Sequence, residues 1–159
     1  MFRKSEILVL LSDLVDPEIP TISLIDLGVI QDVLITNNHV KVVMTPTFSG
    51  CPAMEYMKND VLNTLQNHGI EDCSVEISFK NPWNSNRITE KGIAALKKHG
   101  LAPPQKYILP EEITIIEHVE CPNCKSTNTV LRNTFGPTLC RAMHFCNDCK
   151  QMFEQFKAV

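Results

Sequence analysis

Cys121-Pro122-Asn123-Cys124 and Cys146-Asn147-Asp148-Cys149 decide how this chain is divided. Each is a Cys-x2-Cys pair, and 21 residues separate the two. Two residues between thiolates let one tight turn aim both sulfurs at a single ion at about 2.3 Å. Two such turns close a tetrahedral S4 site, a donor set that belongs to zinc or iron. Between them, Val130, Leu131, Phe135, Met143 and Phe145 flank Gly136-Pro137. That pattern predicts a strand, a turn and a strand returning the chain to the ion. The expectation is a structural zinc held by Cys121, Cys124, Cys146 and Cys149, with an iron or iron–sulfur centre on the same ligands as the rival. About 40 residues cannot build a sufficient core alone and normally need such a staple.

Working outward, residues 118–159 form an expected zinc-ribbon module. They carry five basic and three acidic side chains, while residues 1–117 carry ten and fifteen. Gly100-Leu101-Ala102-Pro103-Pro104 lies between. Adjacent prolines fix φ and remove two amide donors, so a stiff linker is expected over residues 101–117, after a first domain of residues 1–100. The whole chain has 159 residues, 43% of them hydrophobic, 21% charged, with a formal charge of −3. These values exclude a disordered chain or a coiled coil and argue against a general nucleic-acid or anionic-lipid binder. The apolar run of residues 7–11 is too short for a membrane span or a signal core, which need about 20 and about 7–15 residues. Seven cysteines without an export signal point to a reducing cytoplasm, where they serve as thiols or metal ligands.

The first domain reads as α+β. Ile7, Leu8, Leu11 and Leu14 or Val15 share one helical face, and Pro17 stops that helix. The Val/Ile-rich residues 29–36 and Val40, Val42 and Met44 flank Asn37-Asn38, a turn that predicts a hairpin. Met54, Met57, Val61 and Leu65 mark a second helix ending at Gly69. Cys73, Val75, Ile77 and Phe79 alternate as a third strand, and Ile93 and Leu96 mark a last helix ending at Gly100. The expected order is α-β-β-α-β-α, a small mixed sheet with helices packed on it, followed by the ribbon. The β-α-β crossover should be right-handed.

Thr45-Pro46-Thr47-Phe48-Ser49-Gly50-Cys51-Pro52 precedes the second helix. Free N–H groups at a helix start stabilise a thiolate, and glycine permits close approach of a ligand. Cys51 is thus a candidate nucleophilic or metal-handling sulfur, with Thr47 and Ser49 offering hydroxyls. A buried thiol at a helix start is the equal structural alternative. Asp16-Pro17-Glu18-Ile19-Pro20 should hold Glu18 extended between prolines. Asp16 and Glu18 are either solvated turn residues or partners of Cys51. His39, His68, His99 and His118 lack partners at ligand spacing. Cys73 reads as core, Cys140 as a packed thiol. Trp83 reads as a loop aromatic that packs across domains or meets a ligand.

Asp16 to Pro20, Asp26-Leu27-Gly28 and the Thr47 to Pro52 loop resemble the metal–sulfur cluster assembly factor family over about residues 5–100. Asn81-Pro82-Trp83, the Gly100 to Pro104 stretch, Phe135-Gly136-x-Thr138-x-Cys140 and Phe153 to Lys157 extend the resemblance over nearly the full chain, to the PaaD-like family of aerobic phenylacetate degradation. Pro137 departs from the small polar residue expected at its place. The resemblance implies an accessory or maturation subunit of the multicomponent phenylacetyl-CoA 1,2-epoxidase, assisting iron–sulfur or iron centre assembly. It also implies that the epoxidase subunits are its partners, and that Cys51 handles a transient iron–sulfur cluster, with Asp16 and Glu18 as helpers. The chain lacks the Glu-x-x-His pair of a di-iron site and the Gly-x-Gly-x-x-Gly of a dinucleotide site, so the oxygenase and reductase chemistry belongs elsewhere. One sulfur cannot complete a [2Fe–2S] cluster, which makes a homodimer the simplest arrangement. The alternatives are a non-catalytic scaffold of the same complex and a general cluster assembly factor. Nucleic-acid binding and thiol–disulfide exchange rank below these.

Overall fold

A computed structural model describes residues 2–106 and 119–156. The chain forms two compact units, Met1–Trp83 and Asn84–Val159. In the first, α1 (Lys4–Leu11) is followed by the hairpin β1 (Ile30–Thr36) and β2 (His39–Met44), then α2 (Met54–Asn67) and β3 (Cys73–Ile77). The sheet order is β1-β2-β3, antiparallel between β1 and β2 and parallel between β2 and β3. The expected mixed sheet is therefore present. Its hairpin turns at Asn37 and Asn38, which take φ of 50° and 72°. Asparagine tolerates this left-handed region because its short side chain bonds locally.

The buried stripe Met54, Met57, Val61 and Leu65 fixes which face of α2 meets the core. The helix ends in a Schellman motif. Gly69 takes φ of 78°, its N–H donates to the Gln66 carbonyl, and the Ile70 N–H donates to the Leu65 carbonyl at 3.0 Å. Leu65 and Ile70 are both buried, so the cap and its apolar contact agree.

Some local expectations need correction. The first helix ends at Leu11, short of Leu14 and Val15. Ser12 turns its hydroxyl back onto the Val9 carbonyl, and Val15 bridges Ser23 instead. Glu18 is not extended. Asp16 Oδ1 accepts the N–H groups of both Glu18 and Ile19, bending the chain so that Ile19 and Ile22 enter the core. Trp83 is a core residue of the first unit, buried, with its indole N–H donating to the Leu27 carbonyl at 2.9 Å. The third strand stops at Ile77, leaving Phe79 exposed.

The second unit holds α3 (Glu90–Lys98), β4 (Thr129–Asn133), β5 (Arg141–Cys146) and β6 (Met152–Phe156). Thr89 caps α3 by accepting the Gly92 N–H. The three strands form one antiparallel sheet in the order β4-β5-β6. The first two strands are expected from the residue pattern, whereas β6 is not. Ala102 adds a parallel bridge to that edge: its N–H donates to the Glu154 carbonyl and its carbonyl accepts the Phe156 N–H, both at 3.0 Å. The stretch read as a linker thus lends Leu101 and Ala102, both buried, to this unit. Residues 107–117 of the expected linker, and His118, lie outside the described residues. Ala102, Val119, Cys121, Cys146 and Phe153 make a small core on which Cys149 packs.

Candidate metal centre and thiol loop

Cys121 and Cys124 sit on the turn before β4, and Cys146 and Cys149 on the turn from β5 to β6. Their four sulfurs lie within 4.8 Å of one another. Cys121 Sγ is 3.7 Å from Cys149 Sγ, and Cys124 Sγ is 3.5 Å from Cys146 Sγ. Four sulfurs tetrahedral at about 2.3 Å from one ion stand about 3.8 Å apart, so these thiols fit a closed S4 site. Both turns have the same backbone. The Lys125 N–H donates to the Cys121 carbonyl and the Cys121 N–H to the Ser126 carbonyl. Lys150 and Gln151 repeat this around Cys146.

The electrostatics point the same way. The N–H groups of Cys149 and Asp148 draw the Cys146 thiol down to about 7. Burial pushes Cys149 up to about 12. Thiols this crowded cannot all ionise together, whereas a divalent cation between them lets every sulfur act as a thiolate. Cys121 and Cys146 are buried, Cys149 is half-buried and Cys124 is exposed.

Lys125 and Lys150, the residues after each second cysteine, take φ of 65° and 59°. Left-handed backbone costs a residue with a Cβ about 1–2 kcal/mol, and glycine gives back part of that gain as about 0.5–1 kcal/mol of chain entropy. Lys125→Gly and Lys150→Gly are each expected to stabilise the metal-loaded chain by up to about 1 kcal/mol. Thermal unfolding of the loaded protein checks this, and a lowered midpoint in both variants contradicts it.

In the first unit, Cys51 lies in the turn that enters α2, and its carbonyl accepts the Met54 N–H. The helix begins at Met54, two residues later than proline at the first turn implies. Cys51 is half-buried, between exposed Ser49 and Gly50 on one side and exposed Pro52 on the other. Gly50 takes φ of 81°, and no atom lies within 4 Å of where a Cβ would stand, so only backbone conformation demands glycine there. Thr47 on the same loop is half-buried, and Glu18 is exposed. The other two family stretches serve the fold. Asp16 closes its own turn, and Ser23 donates to Asp26 Oδ2 while accepting the Asp26 N–H. Leu27 is core and Gly28 takes φ of 79°.

The remaining candidates settle as follows. Cys73 is half-buried and its pKa is raised, mainly by burial. Cys140 is buried with its sulfur 3.1 Å from the Thr138 hydroxyl. His39, unpaired by spacing, bridges Asp72 and Ser74 across β2 and β3, at 2.6 Å and 2.8 Å. Chain spacing hides that contact because it is made between strands. No helix among the described residues is long and apolar enough to cross a membrane.

Comparison with known proteins separates the same two regions. Residues 4–77 match the family described as iron-sulfur cluster assembly protein, and residues 111–157 match the PaaD zinc beta ribbon domain. The chain is 32% identical over 158 residues to an Escherichia coli (strain K12) protein named as the putative D component of 1,2-phenylacetyl-CoA epoxidase, covering 97% of this chain and 92% of that protein. It is 30% identical over 95 residues to the "Fe-S protein maturation auxiliary factor" of Porphyromonas gingivalis (strain ATCC BAA-308 / W83), covering 58% of this chain and 90% of that one. A crystal structure of a domain of unknown function, DUF59, from Bacillus anthracis superposes with a TM-score of 0.54 at 27% identity. That match covers 58% of this chain and 90% of the DUF59 chain.

Proposed function

This chain belongs to the family of the phenylacetyl-CoA epoxidase D component, and on that premise we propose that it is an accessory maturation subunit of a phenylacetyl-CoA 1,2-epoxidase. In this reading it works in the cytoplasm and helps to assemble an iron–sulfur or iron centre in its partner subunits. One observation carries the reading. Of the three family stretches in the first unit, Asp16 and Asp26 shape turns and Leu27 enters the core, while the third places a half-buried cysteine, Cys51, in the turn that enters α2. A cysteine in a surface loop offers a soft thiolate that can accept iron or a cluster as cargo and pass it on. Thr47 and Ser49, on the same loop, supply hydroxyls to orient that cargo. Asp16 acts by shaping the adjacent turn, and Glu18 is placed at the surface.

The tetrad Cys121, Cys124, Cys146 and Cys149 then has the other job. Its ion is zinc, held as a closed S4 site that staples the second unit, and a structural ion supplies no chemistry. Cluster transfer would need further thiolates beside Cys51, and a second copy of the chain is the simplest source.

The test is to omit this chain from a reconstituted epoxidase pathway and measure iron in the remaining subunits. The expected result is normally folded partners with at least a several-fold loss of bound iron–sulfur, restored by adding the chain back. Partners that carry full iron and are active without it would overturn the maturation role. Full iron with a complex that fails to assemble would favour the scaffold alternative.

A further inference from the structure

The four cysteines are not equally covered. Cys121 and Cys146 are buried and Cys149 is half-buried, while Cys124 is the exposed residue of the four. In the first knuckle the Ser126 N–H bonds the Cys124 thiol. Ser126 is in turn anchored from the opposite knuckle. Its hydroxyl donates to Asp148 Oδ2 at 2.5 Å, and the Asn128 amide donates to Asp148 Oδ1 at 2.9 Å. Asn147 completes the tie: its side-chain amide donates to Asn128 Oδ1 at 3.0 Å and its N–H to the Asn128 carbonyl at 2.9 Å. Both residues between Cys146 and Cys149 thus grip the strand entry that follows Cys124.

We infer that Asp148 is a positioning residue for the metal centre: by clamping Ser126 it keeps Cys124 on the ion, and Cys124 is the ligand through which the ion enters and leaves. The inference rests on reading the tetrad as a zinc site. The chemistry is simple ligand exchange. A chelator donor replaces the Cys124 thiolate on zinc, water supplies the proton that the freed thiolate takes up, and no electron moves. Partners that orient a ligand are commonly worth 10–100-fold in metal affinity, and an exposed ligand has the most to lose when its orienting contact goes.

The test uses the full zinc-loaded chain and its Asp148→Ala and Ser126→Ala variants. Zinc loss to an excess of a chromophoric chelator is timed, and the first cysteine trapped by iodoacetamide is identified by mass spectrometry. The expected result is 10–100-fold faster zinc loss in each variant. Because the two side chains share one bond, the double variant should speed zinc loss by less than the product of the single effects, with Cys124 alkylated first in all. Ser126→Ala removes one hydroxyl, which besides Asp148 meets only the Asn128 N–H among the described residues, so it carries the test even if Asp148→Ala folds poorly. Zinc-loaded variants that release metal at the wild-type rate, singles that multiply in the double, or first alkylation at another cysteine would each overturn the inference alone. A wild-type chain that binds no zinc overturns the zinc reading and the clamp with it.

Discussion

Removing the metal is expected to unfold the second unit and spare the first. Binding of a structural zinc to a small Cys-rich module contributes about 10–16 kcal/mol near neutral pH, and a folded domain is stable by only about 5–15 kcal/mol in total. Around the tetrad, the β4-β5-β6 module has only a small apolar cluster to set against that loss. That cluster holds Ala102, Val119, Cys121, Cys146 and Phe153, two of them proposed ligands, while Leu96, Leu101, Ala142 and Phe156 are buried elsewhere in the unit. Stripping the ion therefore empties the centre of the cluster and leaves four crowded thiols. The first unit has its own core, which includes Ile7, Leu11, Ile22, Leu24, Val40, Val42, Val61 and Leu65, and no cysteine of that unit lies in the tetrad.

The measurement is chelation at mildly acidic pH, where protons compete for the thiolates, followed by amide exchange. Amides of β4, β5 and β6 should lose protection while those of β2 and α2 keep theirs, and elemental analysis should find one zinc released per chain. Cys146→Ser should reproduce the effect without chelator, since it removes a buried sulfur of the tetrad. Iron instead of zinc in the released fraction would overturn the choice of ion. Retained protection in the strands would overturn the structural role.

Parts of this arrangement were legible in the sequence because each rests on local chemistry. The two Cys-x2-Cys turns, the Asn37-Asn38 hairpin and the α2 stripe are written in residues a few positions apart, and the structure contains all three. What spacing could not reveal are contacts made across the chain. β6 reads poorly because Met152, Phe153, Glu154, Gln155 and Phe156 break strict alternation, with both Gln155 and Phe156 buried. Gln155 is tolerated inside because it meets His144 and the Pro103 carbonyl. Trp83 found its partner 56 residues away at the Leu27 carbonyl. Pro17 and Pro20 suggested extension, yet the Asp16 carboxylate, which bonds two amides at once, imposed a turn. The clamp on Asp148 was invisible for the same reason, since its partners Ser126 and Asn128 are 22 and 20 residues away.

Replacing Cys51 with serine is the other change with a large expected effect, and it acts on function rather than fold. Cys51 is half-buried in a surface turn, and serine is smaller by little and keeps the carbonyl that accepts the Met54 N–H. Surface substitutions that leave backbone contacts intact usually shift stability by no more than about 0.5 kcal/mol. The melting behaviour and the zinc content of Cys51→Ser should therefore match the parent. The hydroxyl, however, has no accessible anion near neutral pH and binds iron or a cluster poorly compared with a thiolate. Cells relying on Cys51→Ser should lose most epoxidase activity, on the order of the loss caused by deleting the chain, with iron–sulfur content of the partner subunits falling in parallel. Cys73→Ser supplies the control, because that thiol sits half-buried on β3, outside the Cys51 loop, with its ionisation disfavoured by burial. If Cys51→Ser supports normal iron loading, the sulfur is a bystander and the scaffold reading takes its place. If Cys51→Ser and Cys73→Ser fail equally, the defect lies in the fold of the first unit and the loop has no special role.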